Sequence, residues 1–338
     1  MRNATRISEG TEEEYLAHLK AKGLELGTVK THAQPLRKAL TLWGDMYVHN
    51  VRPEHVDLFF NTFDYMPKTR NLYLGNLRLF FAYGRRHNWI PKDYDPTEGW
   101  RMLKVPRKEM PRIGVEQFVP LLQAAQDPRD RAVVALGLFT FCRASEIQTL
   151  RVRDIDFKAN TVQIFRWKTK EADTMPLVSE LKTEMLRWFR QYESEAGGLN
   201  PDWYLCPARG PLPMGHNHAL GRLAPTGESA PIRPEFRMSH PYRAVQRPLR
   251  AIGVTEKGTG GHVLRRSGAR ALFDRLRYEG YDGALMRVSS MLGHSSTKIT
   301  EHYLSLGIER TQRNELLGGK PMFPDMVEAG EVVNLRAM

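Results

Sequence analysis

Met291-Leu292-Gly293-His294-Ser295-Ser296-Thr297-Lys298-Ile299-Thr300-Glu301-His302-Tyr303 is the stretch on which the reading of this chain turns. A Gly-His pair leads into two serines, which favour a helix start because a short hydroxyl accepts a bond from an otherwise unpaired backbone N–H. Tyr303 follows nine residues after His294, about two turns into the helix so begun. Most tyrosines are structural, and a phenol with a pKa of about 10 needs help to attack anything at neutral pH. Three basic clusters upstream, around Arg143, Lys168 and His262, are placed to supply that help.

The totals narrow the setting. The 338 residues exceed what one hydrophobic core spans, about 250–300 residues, so two domains are expected. A net charge of +12 favours a polyanionic partner, DNA or RNA first among them. Cys142 and Cys206 are the two cysteines and form no C-x-x-C pair, which excludes a disulfide framework and a cysteine-rich zinc site. The opening Met1-Arg2-Asn3-Ala4-Thr5-Arg6 does not resemble a secretory signal, and the longest apolar run, 132–142, is too short to cross a bilayer. A soluble cytoplasmic protein, associated with DNA and not with membrane, is expected.

Helical spacing of apolar residues runs through 12–22, 28–43, 54–60 and 68–87, so residues 1–105 read as an all-α domain. The longest of these helices carries Lys68, Arg70, Arg78, Arg85 and Arg86 beside an apolar face. Such cations either contact phosphates or form a solvated face. Pro106 and Pro111 mark 106–112 as a linker, and its basic flank, Lys104 and Arg107 included, suits a strand tracking along DNA. Residues 113–317 read as an α+β domain. Helices are expected at 115–126 and 130–141, short alternating strands at 154–157, 161–165 and 172–177, and a helix at 179–195. An extended piece at 203–207 precedes a Pro- and Gly-rich surface loop, 208–237, and helices resume at 241–252, 263–278 and 284–291. The tail, 318–338, carries the apolar patch Val332-Val333-Asn334-Leu335. The fold class is therefore mainly α with a small antiparallel β-sheet, plus an all-α N-terminal domain.

Charge at apolar positions locates the chemistry. In Phe141-Cys142-Arg143-Ala144-Ser145-Glu146-Ile147 a guanidinium adjoins a core and must be paired. It either pairs with Glu146 or is held ready for a phosphate, whose oxygens match its planar fork. Lys168 and Lys170, after a strand, are alternative proton donors to a leaving alkoxide, and spacing does not choose between them. His262 and Arg265 share one helix face behind Gly260 and Gly261, whose backbone permits close approach of a ligand. No Gly-x-x-x-x-Gly-Lys loop is present, and no carboxylates pair with histidines as a metal cage would require. Phosphoryl transfer to a protein nucleophile, with fixed cations and neither metal nor cofactor, is what remains.

Taken in order, these segments resemble the tyrosine recombinase (phage integrase-like) family over roughly residues 10–310. Phe139 through Ile147 looks like the family's first-arginine box, His262-Val263-Leu264-Arg265 like its second, and Leu292-Gly293-His294 with Tyr303 has its nine-residue spacing. Lys168, eight residues before Pro176, corresponds to the hairpin lysine, so the resemblance selects it over Lys170. It implies that Tyr303 attacks a scissile phosphate to give a 3′-phosphotyrosyl link, with Arg143 and Arg265 on the non-bridging oxygens. His262 is then the general base, Lys168 the general acid, His294 a transition-state hydrogen bonder, and Glu146 a support of the site. It further implies a helical domain that clamps double-stranded DNA, recognition of core sites, four protomers on two duplexes, and accessory DNA-bending or directionality proteins. A role in phage or mobile-element integration and excision is expected, with the tail as a protomer–protomer contact. The competing readings are a type IB topoisomerase that relaxes DNA and a DNA-binding protein without catalysis.

Overall fold

The structure is a computed structural model, and it describes residues 11–44, 46–105, 110–167, 169–210, 231–256 and 259–306. The chain divides into two compact units, Met1–Arg107 and Lys108–Met338. Lys168, Arg107 and the tail 318–338 lie outside the described residues.

The first unit is helical: α1 (Glu12–Ala21), α2 (Leu26–Trp43), α3 (Pro53–Thr62) and α4 (Pro67–Arg86). Leu74, Leu77, Phe80 and Phe81 recur every three or four residues along α4, which brings them onto one buried stripe against Val29, Leu36 and Phe59. Pro35 lies inside α2 and has no N–H to give the carbonyl of Thr31. The buried Asn76 of α4 donates to that carbonyl instead, at 3.0 Å, so the defect in one helix becomes a tie to another. The segment 101–105 is pinned to α4 by paired bonds between Asn71 and the backbone of Leu103, both 2.8 Å, and so belongs to this unit.

The second unit is built around α6 (Pro128–Phe139), whose residues Ala132 through Leu138 are all buried. Against it pack α8 (Ser179–Ala196), α9 (Pro241–Ala251) and α10 (Gly261–Tyr278), with Trp188 and Leu264 among the buried side chains. A three-stranded antiparallel sheet, β1 (Ile155–Asp156), β2 (Thr161–Arg166) and β3 (Glu171–Pro176), forms a hairpin between β2 and β3 running from Thr161↔Pro176 to Arg166↔Glu171. The short helices α7 (Ala144–Ile147), α11 (Ala284–Met291) and α12 (Thr297–Tyr303) carry or precede the motifs.

Two expectations need correction. The helix expected over 115–126 is a 3₁₀ turn, Val115–Gln117, followed by α5 (Phe118–Ala124). Pro120 cannot donate to the carbonyl of Glu116, so an α-helix starting at Val115 would lose a bond that one starting at Phe118 never needs. The loop expected over 208–237 has paired ends: β4 (Pro207–Arg209) and β5 (Ile232–Arg237) are antiparallel, while 211–230 lies outside the described residues. Pro207 and Pro234 hide the alternation that marks a strand, and the register shift between Pro207 and Ala208 accommodates the irregularity.

Two glycines set how closely α6 and α10 approach. A Cβ on Gly268 of α10 would lie 1.8 Å from the carbonyl oxygen of Leu138, whereas one on Gly137 would meet side-chain atoms of Leu264, Cδ1 at 2.9 Å and Cβ at 3.1 Å. Gly268→Ala is expected to lower stability by about 2–3 kcal/mol, outweighing the gain of about 1 kcal/mol in helix propensity, because backbone cannot give way. Gly137→Ala should cost less. Urea unfolding of both variants checks this, and a Gly268→Ala protein as stable as wild type would sink it.

Candidate active site

The apolar run of α6 ends at Phe139, and Phe141 then takes a positive φ of 55°. That turn stops the helix and presents the Phe141 carbonyl to the guanidinium of Arg265, which donates to it. Arg143 follows at the start of α7, and its backbone N–H donates to the Glu146 carboxylate at 2.7 Å. Its guanidinium donates to the other carboxylate oxygen, also at 2.7 Å. The ion pair and the phosphate clamp, alternatives in the sequence, are thus compatible: Glu146 holds a partly exposed Arg143 in place.

Glu146 serves more than one arginine. Arg166, 2% exposed at the end of β2, donates to it at 3.0 Å and also reaches Asp173 at 2.9 Å and the carbonyl of Met291 at 2.9 Å. Arg265, 1% exposed, lies 3.8 Å from it and donates to the carbonyl of Leu292 at 2.5 Å. Burial alone would push the Glu146 carboxyl up, but the Arg143 N–H and guanidinium, with the charge of Arg166, outweigh it and hold the pKa below the ordinary value. Arg265 is pushed down to about 10 by burial and by Arg143, and its protonated form is the one that prevails at neutral pH. Sequence reasoning missed Arg166. The signal was there: β2 alternates Val162, Ile164 and Arg166 inward, and a cation on a core face needs partners.

His262 opens α10 and is exposed on one side. Protein packed around its ring, and the charges of Arg265, Arg266 and Arg143, lower its pKa below 6.5, so it is neutral at neutral pH. Gly293, with a φ of 60°, turns the chain after α11, and the ring of His294 is fixed by a contact of 2.9 Å between Nδ1 and the hydroxyl of the buried Thr300. Ser296 caps α12, as the serines predict, by accepting from the N–H of Lys298. Tyr303 is the last residue of α12. Its ring meets that of His294 edge-on, with centroids 5.4 Å apart, and its hydroxyl is 3.5 Å from the His262 carbonyl. Burial raises the Tyr303 pKa, and Arg265, Arg266 and Arg143 oppose the rise without cancelling it. The resting group is therefore a neutral phenol among cations.

The structure brings together Arg143, Glu146, His262, Arg265, His294 and Tyr303, and Arg166 and Arg266 join them. Lys168 is outside the described residues; Lys170, in the turn between β2 and β3, is exposed. In the first unit, Lys68, Arg86 and Lys104 are exposed. Arg78 instead donates to the carbonyls of Thr97 and Trp100, Arg85 pairs with Asp95 at 3.0 Å, and the Arg70 guanidinium lies 4.5 Å from the Trp100 ring centre. These three spend their donors or faces on their own chain, which the alternation of charge in the sequence could not reveal. Among the described residues no cluster of His, Cys, Asp and Glu is arranged to hold a metal ion, and no helix is long and apolar enough to cross a membrane.

Glu146→Gln is expected to destabilise the protein by about 3–5 kcal/mol, since it leaves buried guanidinium groups without their counter-charge. The folded-state pKa of Glu146 is depressed, so its contribution is full above the ordinary value of 4.5 and is lost as pH falls below it. Urea unfolding should show the gap between wild type and variant narrowing in that acid range. A gap unchanged by pH would count against the charge assignment.

Residues 111–309 match the family model described as Phage integrase family. Tyrosine recombinase XerC of Xanthomonas campestris pv. campestris is 25% identical over 250 residues, covering 72% of this chain and 65% of that protein. The chain thus spans a little under two thirds of that relative. Tyrosine recombinase XerC of Syntrophus aciditrophicus is 26% identical over 250 residues, with 70% and 69% covered. The fold is similar to that of a lambda integrase dimer bound to a COC′ core site, with a TM-score of 0.65 at 15% identity over 89% of this chain and 78% of that one. It is likewise similar to XerH site-specific recombinase in a post-cleavage complex with palindromic difH substrate, at a TM-score of 0.61 and 17% identity over 92% and 83%. With its model match covering more than half of the sequence and the arginine, histidine and tyrosine boxes gathered at one site, the chain belongs to the phage integrase family.

Proposed function

We propose that this protein is a site-specific tyrosine recombinase that cuts and rejoins DNA through Tyr303. The observation that carries the reading is a neutral phenol seated among Arg143, Arg265 and Arg266. That is where a nucleophile meets an anion whose charge must be offset. The Tyr303 oxygen forms a bond to the scissile phosphorus while the bond from phosphorus to the 5′-oxygen breaks. His262 takes the phenol proton, and Lys168 gives a proton to the departing 5′-oxygen. Arg143 and Arg265 offset the charge on the non-bridging oxygens, and His294 adds a hydrogen bond. The product is a 3′-phosphotyrosyl link and a free 5′-hydroxyl. Attack by the 5′-hydroxyl of a partner strand reverses the step and conserves the bond energy without ATP, metal or other cofactor.

The relatives extend the reading to partners. Solved neighbours include a lambda integrase dimer on a core site and a lambda integrase tetramer on a Holliday junction. For this chain the corresponding proposal is double-stranded DNA with core-type sites, bound by a homotetramer spanning two duplexes. Phage or mobile-element integration and excision, with accessory DNA-bending or directionality proteins, is the biological setting. Of the cations expected to contact DNA in the first unit, the exposed Lys68, Arg86 and Lys104 are the ones we assign to phosphates.

A duplex nicked close to the cleavage point, which loses its 5′-end fragment on cutting, should trap a covalent protein–DNA adduct. Tyr303→Phe should abolish it; an adduct that survives the substitution, or none with wild type, would overturn the assignment. The acid limb of the single-turnover rate is expected below pH 6.5, because His262 must be neutral to accept the proton and its pKa is lowered. His262→Ala should slow cleavage by about 10²–10⁴-fold and remove that limb. A limb retained in the variant would assign it to another group.

A further inference from the structure

Arg266, next to the second-arginine box but not part of it, is 4% exposed. Other inward-set arginines of this unit have carboxylate partners: Arg131 has Glu184, Arg166 has Glu146 and Asp173, Arg209 has Asp127 and Glu195, and Arg265 lies near Glu146. No carboxylate of the described residues pairs with Arg266. One terminal nitrogen donates to the carbonyl of Pro111, and Nε is buried without an acceptor. The guanidinium carbon stands over the ring of Tyr303, 5.3 Å from its centre. A buried cation without a counter-charge is costly, and a π face offsets only part of that cost.

We propose that Arg266 is a positioning residue for the nucleophile: its cation holds the Tyr303 ring and favours the phenolate as the proton leaves, while the Pro111 carbonyl fixes where that cation sits. The ionised tyrosine is the counter-charge that Arg266 otherwise lacks. The pull is reciprocal, since Arg266 lowers the tyrosine pKa and Tyr303 raises that of Arg266 against its burial. The segment that supplies the carbonyl is itself fastened on both sides of the site. Ile113 N–H donates to Ser267 of α10 at 2.9 Å, and Met110 N–H to Ser305, two residues beyond the nucleophile, at 3.5 Å. The entry strand of the catalytic unit therefore braces the cation and the end of α12 together. Around the ring the other charged or titratable groups among the described residues are Arg265 and His262 of α10, Arg143 before α7 and His294 before α12.

This rests on Tyr303 being the nucleophile, and two readouts on the full-length protein keep the questions apart. The first is ionisation of Tyr303, read without DNA as the phenolate absorbance that Tyr303→Phe removes. Arg266→Gln should move this titration to higher pH, and Arg266→Lys should move it less. The second is single-turnover cleavage of the nicked duplex. Arg266→Gln, which keeps a polar side chain but removes the charge, should slow it about tenfold, the scale of one desolvated cation–π contact. The deficit should shrink as pH rises, and Arg266→Lys should recover most of the rate. An unmoved Tyr303 titration in Arg266→Gln, or equal slowing by Gln and Lys at every pH, makes Arg266 a mere brace and overturns the proposal. A wild-type protein that forms no adduct overturns the nucleophile reading instead, and the titration still decides whether the electrostatic link exists. Should Arg266→Gln fail to fold, as its thermal unfolding would reveal, the Tyr303 titration of Arg266→Lys decides, and no shift there refutes the link.

Discussion

The buried carboxylate of Glu146 is the interaction on which the site depends. It accepts from the backbone and guanidinium of Arg143, from Arg166 of β2, and lies within ion-pair distance of Arg265 of α10. Arg166 and Arg265 pass the connection on to the carbonyls of Met291 and Leu292, where α11 gives way to the turn bearing His294. A single anion thus sets the relative positions of α7, the hairpin, α10 and the segment leading to Tyr303. Removing one partner from such a cluster costs far more than the pairs contribute net, because the remaining charges stay buried.

The charge balance of this cluster also explains its chemistry. Arg143, Arg166 and Arg265 face Glu146 and Asp173, so the positive groups outnumber the negative. Burial first, and then the charges of Arg265, Arg266 and Arg143, lower the pKa of His262, and the same three arginines work against burial to ease the ionisation of Tyr303.

Much of this was legible in the sequence because the chemistry demands particular side chains at particular spacings. Arg143 with Glu146 three residues on, His262 with Arg265 on one helix face, and the Gly-His turn before a capped helix all follow local rules that the structure obeys. Arg166 is easily passed over: between Phe165 and Trp167 it reads as a hairpin-tip charge, although the alternation of β2 places it inward with Val162 and Ile164. Arg266 was hidden differently. Nothing in Leu264-Arg265-Arg266 distinguishes one arginine from the next, and their separate tasks arise from what α10 packs against. Arg78 and Arg85 illustrate the converse case, for a row of cations on a helix does not show which of them the returning segment 94–101 engages.

By itself, the sequence determined the fold class, most of the helices and strands, and the motifs that carry Arg143, His262, Arg265, His294 and Tyr303. Period, capping and turn chemistry are local, so they can be read from neighbours in the chain. What only the tertiary structure decided is which charges neutralise one another and which remain available. Glu146 serves three arginines drawn from three elements, while Arg266 is left facing a tyrosine. Such partnerships depend on distances of a few ångströms between different elements, in the case of Arg265 and Glu146 between segments more than a hundred residues apart, set by close contacts such as Gly268 against Leu138, and no one-dimensional pattern records them.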